Sequence, residues 1–156
     1  MNAELKCLDG SILSVTPENM VTHDAILELQ TRMLPHAIAM PVAEHHFAPG
    51  IYMRDFTLPA GQAVVGKTHR HDHMLVVMEG LAVIVSKFGR ETVAGGFVAL
   101  SKAGVKRVVL ALEDTRFICV HSNPSDTQDL LIIEAEQIDS VMDEPEMQAH
   151  LFFERK

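Results

Sequence analysis

Between residues 50 and 121, short apolar runs alternate with glycine and proline breaks at nearly even spacing. The runs cover 51–58, 63–67, 74–78, 81–88, 96–100, 107–112 and 116–121. Their β-branched content and short length favour strands over helices. Gly80, Gly89, Gly95, Gly96 and Gly104 stand between them, where turns need positive φ. Seven or more such strands predict an all-β antiparallel sandwich or barrel.

The flanks read differently. Two short apolar runs, 5–8 and 12–15, lie around Asp9-Gly10 and suggest a strand pair. Thr22 or Asp24 can cap a helix over about 24–34, with Ile26, Leu27, Leu29, Met33 and Leu34 on its apolar side and Pro35 at its end. That helix is expected to cover one side of a sheet. After His121, Asn123-Pro124 ends the strand rhythm, and Ser125 or Asp126 can cap a helix carrying Leu130, Leu131 and Ile133. A last segment, 147–156, reads as a helix that docks or reaches a neighbour. The expectation is one domain over 1–156: a barrel core at about 50–121 and a helical C-terminal segment at about 126–156.

Parity within the strands adds a prediction about assembly. With His73, Leu75 and Val77 inward, the apolar Met74, Val76 and Met78 must point out, and Ile118 and Val120 repeat this four runs later. Such stripes call for cover. A homodimer is the simplest cover, and a C-terminal tail folding Leu151, Phe152 and Phe153 back over them is the competing one.

Charge and composition narrow the partners. A net charge of −8 and a pI near 5.5 argue against nucleic acid, which needs a basic face. Tryptophan is absent and there is a single tyrosine, so base-stacking platforms are not expected either. The longest apolar run, 108–112, is too short to cross a bilayer, and Glu4, Lys6 and Asp9 interrupt any leader-like stretch. Cys7 and Cys119 sit in unrelated contexts, which is reduced-compartment usage. A cytoplasmic protein without a membrane partner is expected.

The candidate chemistry is concentrated at 61–80. His69, His71 and His73 fall within five residues, and His69 and His73 can share a face with Lys67. Clustered imidazoles at a strand end suit a metal or an acid–base site; the bland alternative is a solvated turn.

The spacing around them resembles the first motif of the cupin superfamily: G, five residues, H-x-H, three or four residues, E, six residues, G. Gly61, Lys67, His69, His73 and Gly80 fill that frame, with Lys67 at the first histidine and His73 at the glutamate. The second motif, G, five residues, P-x-G, two residues, H, three residues, N, is met by Gly96, Lys102, Gly104, Arg107 and Ala111. Its glycines are kept and its histidine is replaced by Arg107. A further resemblance is to small cupin-like proteins of unassigned function encoded in bacteriophage genomes. It runs through 46–54, Gly66-Lys67-Thr68-His69, 103–107 and 112–116 to His121.

The resemblance implies a cupin-type double-stranded β-helix, a jelly-roll barrel, with the motif residues at its mouth. It brings Lys67, His69, His73 and Arg107 together and leaves His71 in the turn. His121 shares a face with Thr115, Phe117 and Cys119, so it can join them. Three imidazoles, His69, His73 and His121, would suit a divalent transition metal such as zinc, iron, nickel or copper. Lys67 and Arg107 would favour a small anionic ligand, with Arg54 and Tyr52 as further pocket groups or a rim. Two classes follow: a metal-dependent small-molecule enzyme of oxygenase, isomerase or lyase type, or a non-catalytic ligand-binding or assembly cupin that has lost its metal.

Overall fold

The computed structural model describes residues 3–6, 12–15, 22–38, 41–139 and 151–154. The elements in chain order are β1 (Ala3–Lys6), β2 (Ile12–Val15), α1 (His23–Met33) with a 3₁₀ turn at Leu34–His36, β3 (Ala43–Ala48), β4 (Ile51–Leu58), β5 (Gln62–Val65), β6 (His73–Glu79), β7 (Leu81–Ser86), β8 (Gly89–Ala94), β9 (Val98–Ser101), β10 (Val108–Ala111), β11 (Thr115–Ser122), α2 (Leu130–Gln137) and β12 (Leu151–Glu154). β1 and β2 form a separate antiparallel pair. The turn expected at Asp9-Gly10 lies outside the described residues.

The other strands form two five-stranded antiparallel sheets, in the orders β12-β5-β10-β7-β8 and β3-β4-β11-β6-β9. From β4 onward the chain crosses repeatedly from one sheet to the other, which makes the pair a jelly roll rather than two meanders. Alternation of side chains puts Val64, Ala82, Ile84 and Ala111 of the first sheet against Leu58, Val77 and Phe117 of the second. These residues are almost fully buried, and each large one contributes about 1.5–3 kcal/mol by leaving water.

The first sheet has a second apolar face, and α1 covers it. Ile26, Leu29 and Met33 pack on Ala63, Val65, Val83, Val85, Val108 and Leu110. The helix begins where Thr22, in extended backbone, accepts a hydrogen bond from the Ala25 amide at 3.1 Å. Pro35 follows directly and ends it.

The outer face of the second sheet has no such cover among the described residues. Register places Leu100, Met74, Val120 and Met53 in one cross-strand row and Val98, Val76 and Ile118 in the next. Val98 is 57% exposed and Leu100 51%. The row ends at Asp55, which takes a bidentate pair from Arg116 at 3.0 and 2.6 Å.

As expected, α1 covers one side of a sheet, the first, away from the Met74–Val120 face. Other expectations are corrected. The tail is not helical at 151–154: β12 pairs antiparallel with β5, so its backbone extends the first sheet instead of folding over the second. The cap of α2 is Asp129, whose carboxylate accepts from Leu131 N at 2.9 Å, and not Ser125 or Asp126. Asp126 sits at φ 53°, outside the extended conformation a cap uses, and accepts from Gly50 N. β3 and β8 were not anticipated: both are largely exposed and lack a clean apolar alternation. No described helix is long and apolar enough to cross a membrane.

Candidate functional site

Three layers of inward side chains line the central strands of the second sheet. In the innermost layer Phe117 lies between Phe56 and Val77; one step up, Cys119 lies between Arg54 and Leu75. At the mouth His121 pairs with Tyr52, and because Met74 pairs with Val120, His73 comes level with His121. The chain therefore passes from aromatic to polar to imidazole as it rises out of the barrel.

His69 arrives from the loop between β5 and β6. Its carbonyl accepts from Gly104 N at 2.9 Å, and it bridges to Ile138 beyond α2. Gly104 has φ 71°, so the motif glycine supplies the left-handed turn that brings this loop to His69. Lys102, at the motif's proline position, pairs with Asp72 at 2.8 Å, and Asp72 also accepts from Ala103 N. The two loops are thus clamped together by the residue that departs from the motif.

His69, His73 and His121 converge as expected. Their ring centroids lie 4.3, 4.5 and 5.2 Å apart, and one nitrogen of each falls within 4.8 Å of the others. Burial is the main cause that lowers all three pKa values. His69 is pushed to about 2, with His73, His121 and Arg107 adding to the effect. His73 falls to about 4, with Arg107 contributing, and His121 to about 3, with His73 and Arg54 contributing. All three are neutral at physiological pH, the form that ligates metals. The Nδ1 of His121 is buried without a hydrogen-bond partner among the described residues. Zinc–imidazole bonds of about 2.0–2.1 Å need ligand nitrogens some 3–4 Å apart, so this set fits a transition metal with small side-chain adjustments.

The remaining candidates separate. His71 is exposed in the turn, outside the set. Lys67 is buried and pairs with Glu134 of α2, so it neither snorkels to water nor stands uncompensated beside the imidazoles. Sequence reasoning missed Glu134, and the 67 residues between the partners explain why. Arg107 donates to Val105 O at 2.9 Å and lines the cavity; among the described residues no ion pair joins it to Glu79 or Glu113. Arg54 lines the same cavity, with its guanidinium 4.7 Å from the Phe56 ring. Burial lowers the pKa of both arginines.

Tyr52 is not a wall of the cavity. It stacks behind His121 at 5.7 Å and shares a 2.9 Å hydrogen bond with His45 Nδ1, a partner the sequence did not suggest. Burial pushes its phenol up. Cys119 lines the cavity, and burial pushes its thiol up, away from the nucleophilic thiolate.

No family model matches the chain, and no curated protein matches it. Among solved structures it resembles salicylate 1,2-dioxygenase from Pseudoaminobacter salicylatoxidans, with 14% identity and a TM-score of 0.51. That match covers 73% of this chain and 33% of the other. A cupin-2 domain protein from Shewanella frigidimarina matches at 13% identity and TM-score 0.47, over 61% of this chain and 92% of the other. Ectoine synthase from P. lautus matches at 17% and 0.48, over 56% and 68%. The fold is a cupin-type jelly roll. At these identities the likeness extends to the fold and no further.

Proposed function

We propose that this chain binds a divalent transition metal through His69, His73 and His121 and uses the cavity beneath as a pocket for a small anionic ligand, as a metal-dependent small-molecule enzyme does. The observation that carries this reading is the convergence of three neutral imidazoles, two buried and one half-buried, at a cavity mouth. A metal held by three protein ligands keeps positions open, where it acts as a Lewis acid or activates water. The protein's own part is to hold the imidazoles neutral, surround them with apolar walls and supply fixed positive charge. Lys67 with Glu134 favours the second reading, a non-catalytic ligand-binding cupin, because a cation occupies a ligand position of the family motif.

Tyr52 supplies the test. It is the sole tyrosine, tryptophan is absent, and its ring stacks on His121. Titrating tag-free protein with Ni²⁺ or Cu²⁺ should quench this emission and saturate near one metal per chain. His69→Ala, which leaves the Tyr52 surroundings intact, should abolish the response. A wild-type protein that takes up neither ion, nor Zn²⁺ or Fe²⁺ by metal analysis, overturns the metal reading and leaves the second.

The bare face of the second sheet supports a further proposal: it is covered by a second copy of the chain in a homodimer. Of the covers considered within the chain, α1 and β12 both belong to the first sheet. Light scattering at micromolar concentration tests it, and a mass near 17.2 kDa that does not change with concentration overturns it.

A further inference from the structure

The cavity under the imidazoles holds about 100 Å³. Water-sized groups need roughly 10–15 Å³ each on this measure, so it admits a ligand of about seven to ten non-hydrogen atoms. Nucleotides and sugar conjugates are too large. No carboxylate lines it among the described residues; Glu134, outside it, pairs with Lys67 and lies within electrostatic reach of Arg54.

Arg54 enters from the second sheet one layer below His121, level with Cys119, a step of about 7 Å along a strand. Arg107 enters from the end next to β10 in the opposite sheet. Both arginines line the one cavity together with Cys119 and His69, so their charges border a shared space. The rest of the lining is mostly apolar, with Phe56, Leu75, Val109 and Phe117, and also holds Ser101 and Lys67, whose charge is paired with Glu134. Two fixed cations with apolar neighbours favour an anion that brings its own oxygens, and the planar guanidinium fork matches a carboxylate.

We propose that Arg54 and Arg107 form an anion subsite, one layer beneath the imidazoles, for one carboxylate of a short dicarboxylic acid whose other carboxylate reaches the imidazole layer. This deepens the pocket reading above and rests on it, since the far carboxylate faces the proposed metal position. The step between the layers suits a chain of one or two methylenes between the acid groups. The mostly apolar walls disfavour a ligand with a polar body.

Malonate and succinate are the probes, with succinamide as the uncharged control and citrate as the oversized one. Calorimetry on metal-free and Ni²⁺-treated protein reads binding, while Tyr52 emission reads metal uptake separately. Malonate or succinate should bind, and both controls should be at least tenfold weaker. Arg54→Gln and Arg107→Gln should each weaken the acid at least tenfold while leaving metal uptake equal or tighter, because a repelling charge is gone. Arg54→Lys, which keeps the charge but not the fork, should fall between and guards against a folding defect at this buried site. Equal binding of succinamide, or undiminished succinate binding in both glutamine variants, overturns the subsite. Metal uptake without any dicarboxylate binding refutes the subsite alone. Succinate binding that needs both arginines, in a protein that takes no metal, refutes the metal reading alone.

Discussion

Each of the two sheets has five strands, an inner face packed on the other sheet and apolar residues on its outer face. They differ in what happens outside. On the first sheet Val65, Val83, Val85, Val108 and Leu110 disappear under α1; on the second Met74, Val98 and Leu100 stay open. The apolar pattern along a strand is the same in both cases. It reports that a face wants cover, and the chain's own topology decides whether that cover is internal.

The most damaging way to break the contrast is to strip the cover. Ile26→Ala removes a side chain with no exposure and should cost about 2–5 kcal/mol in urea unfolding, whereas Val98→Ala on the bare face should stay near 0.5 kcal/mol. A cost at Ile26 below 1 kcal/mol would show that α1 rests only loosely on the first sheet.

Acid tests the inner face of the second sheet. Its imidazoles have folded pKa values below the unfolded value of about 6.5, so the unfolded chain binds more protons in the window between them. Stability of the metal-free protein should therefore be full above that value. It should fall as pH drops from 7 to 5, by on the order of 1–2 kcal/mol per imidazole. A flat profile would mean that these rings are hydrated.

The crossing between the sheets comes next. Gly80 joins β6 to β7 at φ 89°, and a Cβ there would lie 2.7 Å from the Thr115 Cα. Gly80→Ala should cost about 1–3 kcal/mol, because backbone has to move. This steric demand accounts for the last glycine of the first motif.

On the bare face, Met74→Glu should leave folding nearly unchanged in dilute protein and abolish the proposed dimer in light scattering. A dimer that survives it would have to use another surface. The smallest effect belongs at the edge of that face. Arg116 holds the Asp55 carboxyl below its ordinary value, so the pair's contribution is present at neutral pH and disappears as pH falls below about 4. Asp55→Asn should lower the melting temperature slightly at pH 7 and not at pH 3.

Much of this was legible in the sequence, for identifiable reasons. β4 was read to the residue because Ile51 and Leu58 lie between Pro49-Gly50 and Pro59. The motif resemblance puts His69 and His73 at the barrel mouth, and strand parity lets His121 join them. What escaped notice were features set by distant partners. β3 and β8 are strands because neighbours pair with them, not because of their own exposed, polar residues. The segment 151–154 carries Leu, Phe and Phe, which suit either helix or strand; the free edge of β5 decides. Lys67 pairs with Glu134 across 67 residues, and no local pattern announces that partner.

The loop that carries His69 is sewn to the far side of α2. Arg70 N donates to Gln137 O, Arg70 Nε to Ile138 O and Asp139 N to Thr68 O, while Gln137 Nε2 holds Ser122 O on β11. Two of the three imidazoles stand on strands at the heart of a sheet; the third depends on this seam and on the Gly104 amide that holds its carbonyl. Opening of the seam is expected to loosen His69 while the barrel stays folded, so that the ring set comes apart by local rather than global unfolding. In hydrogen exchange the Arg70 and Asp139 amides should open together and well before those of β6 and β11. Residence of any ion on the imidazoles would then be timed by a short helix six strands away in the sequence, and not by the stability of the jelly roll.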